Sequence, residues 1–388
     1  MAIGKIFSIS NHVIPAKAGI HALVEAPGIS ATGLPPSRER RLGFDRVLLA
    51  LVAVALLLCS GCAEFGYYLQ SIDGQLQLNA ARRPVAEVIA DPATAEPLKR
   101  RLERAAAIRE FASAELKLPD NGSYRRYADV KRPFVVWNVF ATEEFSLEPR
   151  RWCFPFAGCV GYRGYFTHDA AGAFAAGLRA AGLDVHVGGV PAYSTLGWFD
   201  DPLLNTFIHY PDYELARLIF HELAHQVVYV KGDSEFNESF AVAVETAGRE
   251  RWLARYGDEP LRAAAAQAEQ RRAQVRALMQ SARERLGALY KQRVAPALMR
   301  ERKAELFAQT KREYDSLKEA WGGFAGYDLL FDNINNAQLA SFSIYHTWLP
   351  ALQRVFAQSA GDFTAFYVEV KRLAALTKAE REAVLAAP

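Results

Sequence analysis

The chain has 388 residues, of which 51% are apolar, enough to pack one large domain or two moderate ones. Its 46 basic and 43 acidic residues leave a formal charge of only +3, and no Lys/Arg cluster is interleaved with stacking aromatics. Nucleic acid is therefore excluded as a partner class.

Residues Met1 to Glu39 form a polar, proline-containing prelude, read as disordered or as a start-site error, with no second methionine before Met279. Arg40 to Arg46 then supply a basic flank, Val47 to Leu58 twelve apolar residues, and Cys59-Ser60-Gly61-Cys62 a small-residue box ending in cysteine. A spanning helix needs about twenty apolar residues, so this stretch reads as a secretory signal. Ser60-Gly61-Cys62 resembles a bacterial lipoprotein cleavage box, in which Cys62 takes the lipid and becomes the first mature residue. A plain signal peptide or an uncleaved anchor is the alternative. Ala63, with no aspartate there, points by the same resemblance to the outer membrane and a periplasm-facing protein.

From 62 to about 118 the composition is helical, with Tyr67, Leu69, Ile72, Leu76 and Leu78 followed by the charged run Leu98 to Leu116. Phe134 to Phe140 and Asp184 to Val190 read as strands, with an alanine-rich helix from Ala170 to Ala181 between them: a small mixed sheet. Cys153 and Cys159 enclose Phe-Pro-Phe-Ala-Gly. In an oxidising compartment that spacing can close a disulfide loop, and two free core thiols are the alternative. His168, His186 and His209 read as structural.

The strongest signal is His221-Glu222-Leu223-Ala224-His225, followed after a twelve-residue spacer by Glu238. Two imidazoles four apart on a helix face one metal ion, and the glutamate between them reaches a water bound to it. The expected helix runs from Tyr213 to Val230 with Asp212 as N-cap, and its apolar residues lie on several faces, so it is buried. Polar side chains there need partners, which a metal supplies. Lys231-Gly232-Asp233-Ser234 reads as a stop and turn, with Ser234 capping a second helix that carries Glu238. Two histidines and one carboxylate leave a fourth tetrahedral position open, the catalytic zinc pattern. Glu245, two turns beyond Glu238, is placed to orient a ligand histidine, or else is solvated or capping.

From Arg249 to about Trp321, Ala, Arg, Glu, Gln and Leu dominate, broken only by Gly257, Pro260, Gly287 and Pro296. This predicts two long amphipathic helices forming an arm beside the metal domain.

The segments LIFHELAHQVVYVKGDSEFNESFAVAVE and AYSTLGWFDDPLL resemble the predicted aminopeptidase family of proteobacterial lipoproteins, zincins with a glutamate third ligand. The resemblance runs from about Cys62 to the C-terminal region. It implies that His221, His225 and Glu238 hold one Zn2+ per chain and that Glu222 is the catalytic base. It also makes Ala192 to Phe199 a candidate cleft-edge strand that pairs with extended substrate, an ordinary sheet edge being the alternative. Asn335 to Trp348 resembles the family too; there Tyr345, with His346 beside it, is the candidate oxyanion stabiliser, a core tyrosine being the alternative. One departure is Val242, where some glutamate zincins carry an acidic residue four after the ligand glutamate.

The expectation is an α+β, zincin-like metallopeptidase, mostly helical with a small mixed sheet and a long helical arm. Its parts are the prelude and signal at 1–61, helices, sheet and metal helices at 62–248, and the arm and C-terminal helices at 249–388. The expected function is zinc-dependent hydrolysis of peptides, as a lipid-anchored envelope aminopeptidase. The alternative is a non-catalytic envelope lipoprotein with a structural metal and a partner-binding arm. The residues do not identify the group that binds a substrate's free amine; Asp200, Asp201 and Glu214 are near in sequence. Oligomeric state is left open.

Overall fold

The computed structural model describes residues 66–387, except 155–157, 193–194, 196–198 and 344–346. Three helices open it, α1 (66–80), α2 (Val85–Ala90) and α3 (Glu96–Ala114), in the stretch whose composition is helical. Helix α3 buries Leu102, Ala105, Ile108, Phe111 and Ala112, the three-and-four spacing of a single face.

Strands β1 (Arg83–Pro84) and β2 (Arg126–Ala128) pair antiparallel. A second three-stranded sheet is centred on β3 (Val136–Thr142). A hairpin of β4 (Trp152–Phe154) and β5 (Gly158–Val160) follows, closed by a Cys153–Cys159 disulfide, the pairing that the cysteine spacing allows. Then come β6 (Arg163–Tyr165), α4 (His168–Ala180) and β7 (Asp184–Val190). Strands β6 and β7 flank β3 on opposite sides, both antiparallel to it, and α4 carries the chain across. Mixed pairing occurs instead in the smaller sheet, where β2 runs parallel to β8 (Leu203–Leu204).

Every residue of β3 is buried. Trp137, Val139 and Ala141 pack with Ala171 and Ala175 of α4, while Val136 and Phe140 belong to the main core on the other face. That double burial is why the strand reads as a nearly continuous apolar run, interrupted by the buried Asn138.

Helices α5 (Asp212–Ala224) and α6 (Ser234–Tyr256) pack against each other and against α3 in the main core. Both differ in detail from expectation. Pro211, not Asp212, is the N-cap of α5, and the Asp212 carboxylate pairs with Arg101 and Arg104 of α3. The helix stops at Ala224 rather than Val230, because side chains hold the following turn: Asn237 bonds both backbone groups of Val230, and Gln226 bonds Asn121 and Ser123. Asp233, not Ser234, caps α6: one oxygen accepts from the Phe236 N–H while the other pairs with Arg381.

The arm is α7 (Glu259–Tyr290) and α8 (Pro296–Ala320). Pro260 sits in the first turn of α7, where a missing N–H costs nothing, and Gly287 lies inside the helix without ending it. The arm has its own core of Val275, Met279, Leu286, Met299 and Tyr314, completed by Phe331 of α9 (Asp328–Phe331) and Leu339 of α10 (Asn336–Ser343). Helices α11 (Leu349–Gln358), α12 (Phe363–Ala374) and α13 (Lys378–Ala386) return to the main core beside α6. No helix among the described residues is long and apolar enough to cross a membrane.

Candidate metal centre

His221 and His225 lie one turn apart at the C-terminal end of α5, His225 itself being the C-cap with helical backbone angles. Their Nε2 atoms are 3.2 Å apart. After the turn that Asn237 clamps, α6 brings Glu238 back so that its Oε2 lies 3.3 Å from His221 Nε2 and 3.7 Å from His225 Nε2. All three side chains are buried, with ligand-capable atoms within 4.8 Å of one another.

Across the His221 ring, Nδ1 lies 2.7 Å from Glu245 Oε2. A carboxylate there fixes the proton on Nδ1 and leaves the Nε2 lone pair facing His225 and Glu238. Burial pushes both histidines well below the usual imidazole range, with Arg217 adding to this at His221, and His221 adding to it at His225. Neutral imidazoles are the form that binds a metal. A converging set of two imidazole nitrogens and one carboxylate therefore fits a divalent transition metal, and it is the one such group of His, Cys, Asp and Glu among the described residues. Glu222 is fully buried beside the set. Burial, then Glu238, Asp201 and Glu245, push its carboxyl well above the ordinary range.

A protein-family model described as "Putative aminopeptidase" matches residues 66–385, most of the chain. The chain belongs to that family. No curated protein and no solved structure matches it.

Within this aminopeptidase-family chain, Val242 and Glu245 lie one turn apart on α6. The residue four after Glu238 lines a cavity of about 980 Å³ beside the centre, and the acidic contact to His221 comes from one turn further along α6. The three acids named above, Asp200, Asp201 and Glu214, are differently placed. Asp200 is exposed; Asp201 is buried, with both oxygens accepting from the Thr195 N–H; Glu214 is bound by Arg217 and Arg272.

The other described histidines do not belong to the metal group, though His168 and His186 line the cavity beside it. His168 and His209 are exposed, and His186 of β7 stacks on Phe140, lowered to about 4 by burial and Arg179. Tyr345, His346 and Cys62 lie outside the described residues, as does most of the candidate edge strand from Ala192 to Phe199.

Three contributors escaped the sequence reading. Asn237 fixes the turn that delivers Glu238. Arg217, which pairs with Glu245, stands four residues before His221 and so on its face of α5, a spacing that marks it once the histidine is suspected. Tyr124 is fully buried, sits at φ 63°, and has its phenol raised far above the ordinary range by burial, Glu222 and Asp201. Nothing in its sequence context signals that.

Proposed function

We propose that the protein is a zinc-dependent aminopeptidase of the cell envelope, holding one Zn2+ on His221, His225 and Glu238. The convergence of these three side chains, with a buried glutamate on the residue next to one of them, carries this reading. Two imidazoles and a carboxylate make the ligand set of catalytic rather than structural zinc sites. A metal bound there supplies Lewis acidity, polarising a peptide carbonyl and acidifying water.

The chain's own residues divide the remaining work. Glu245 holds His221 in the ligating tautomer and orientation. Glu222 accepts a proton from water at its carboxylate and delivers it to the departing amine, shielded from bulk solvent by its burial. Tyr345 is the proposed donor to the oxyanion, on the strength of its position in the family-like segment Asn335 to Trp348. Lipid attachment at Cys62 would hold the enzyme at the outer membrane facing the periplasm, and the Cys153–Cys159 disulfide accords with an oxidising compartment.

The test is digestion of a mixed peptide library with free and with acetylated N-termini. Removal of single N-terminal residues from free peptides, with acetylated ones resistant, is expected. Internal cleavage of acetylated peptides would overturn the aminopeptidase assignment, and hydrolysis of neither set would overturn the peptidase assignment.

A further inference from the structure

From His221 an unbroken chain of charged contacts leads out of the metal helices into the arm. Glu245, which accepts from His221 Nδ1, also accepts from Arg217 Nη1 at 2.8 Å through its other oxygen. Arg217 Nε donates to Glu214 Oε2 at 2.8 Å. The second oxygen of Glu214 accepts from Arg272 Nη2 of α7 at 2.6 Å. Arg272 Nη1 in turn donates to Glu269 at 2.6 Å, and Glu269 is also held by Arg249 of α6 and Arg276 of α7. Glu214, Glu245 and Arg217 all line the cavity beside the metal group.

Charge counting along this chain shows why the arm matters. The metal helices themselves supply one guanidinium, Arg217, to two buried carboxylates, Glu214 and Glu245. Each carboxylate side chain is only 5% exposed. One cation shared by two buried carboxylates leaves an uncompensated charge, which is costly for groups so little exposed to solvent. Arg272 supplies the missing charge, so that Glu214 is held from two sides and Arg217 remains available to Glu245.

We propose that Arg272 of the arm is a positioning residue of the metal centre, acting through Glu214, Arg217 and Glu245 to hold His221 in its ligating orientation. The arm is then part of the metal site rather than an appendage to it. Resting on the metal reading above, this adds a residue outside the three metal donors, from the arm side of the cavity. Glu269 keeps Arg249 and Arg276 when Arg272 is removed, so the tie between α6 and α7 survives the substitution.

The experiment is competition of Zn2+ alone between the full-length protein and a chromogenic chelator. Removing a partner that orients a metal ligand weakens metal binding by about 10- to 100-fold, and Arg272→Met is expected near the lower end of that range. Arg272→Lys should recover part of the loss, and Arg276→Met, which touches Glu269 but not Glu214, should bind as wild type does. In a Glu245→Gln background, Arg272→Met should add little, because the contact it acts through is already weakened. Wild-type affinity in Arg272→Met, or an undiminished loss in the Glu245→Gln background, would overturn the proposal. Where Arg272→Met does not fold, Arg272→Lys carries the same comparison in both backgrounds. Failure of the wild-type protein to bind Zn2+ would instead overturn the metal reading itself.

Discussion

His221 and Glu245 stand on different helices, 24 residues apart in sequence, with Nδ1 2.7 Å from Oε2. One contact thus ties the helix that offers two imidazoles to the helix that offers the carboxylate. It is also the inner end of the ion-pair chain that reaches the arm.

Glu245→Ala should therefore weaken zinc binding by about 10- to 100-fold while leaving the three donor residues in place. His225→Ala removes a donor and should abolish stoichiometric binding, from about one zinc per chain to near none. Metal analysis of the purified proteins after dialysis checks both, and wild-type metal content in His225→Ala would exclude the assigned ligand set.

Much of this arrangement can be read from the chain because it is local. The four-residue spacing of His221 and His225 is a helix property, and the run Phe134 to Phe140, apolar but for Asn138, announces a strand, found at Val136–Thr142. The position of Glu245 two turns beyond Glu238 follows from helical periodicity. What periodicity does not carry are the long-range partners. The Asp233 cap is chosen over Ser234 with Arg381 bonded to its second oxygen, from 148 residues away. The stop at Ala224 depends on Asn121, Ser123 and Asn237, and the second partner of Glu214 arrives on the arm. Apart from Asn237, which bonds Val230 only seven residues away, each of these is a polar group finding a distant partner, for which the sequence around it holds no signal.

The Asp233–Arg381 pair is buried on both sides, 4% and 2% exposed, and joins the start of α6 to the last helix. Arg381→Met should cost about 3–5 kcal/mol, since it strands a buried carboxylate. Lys378→Met, which loses a more exposed contact to Glu382 within α13, should cost under about 1 kcal/mol. Urea unfolding midpoints compare the two; equal small losses would show that the buried pair does not anchor α6.

Docking of the arm should weaken in acid. Burial opposes ionisation of Glu269, but Arg272 and Arg249 outweigh it and, with hydrogen bonds from Arg276 and Arg249, hold the carboxyl at about 2 against an ordinary 4.5. A carboxyl lowered on folding contributes stability that is complete above the ordinary value and is lost as pH falls toward the lowered one. Stability should accordingly decline between pH of about 4.5 and 2, and Glu269→Gln should flatten that part of the curve. Melting temperatures across this range check it, and identical slopes in the two proteins would show that Glu269 is not linked to folding.

Cys62→Ala should prevent lipidation and move the protein from the membrane to the soluble envelope fraction, since a lone secretory signal leaves no anchor behind. Fractionation with mass spectrometry of the mature N-terminus decides this. A Cys62→Ala protein still acylated and membrane-bound would contradict the lipoprotein reading.

The central claim, that Glu222 moves the proton in a metal-dependent peptide hydrolysis, is tested most directly by the initial rate of Glu222→Gln on an unblocked peptide at matched zinc content. No metal donor is removed, so zinc should remain at about one per chain while the rate falls by roughly 10²- to 10⁴-fold, the contribution of a positioned general base. A zinc-loaded Glu222→Gln protein that cleaves within about threefold of the wild-type rate would contradict the account.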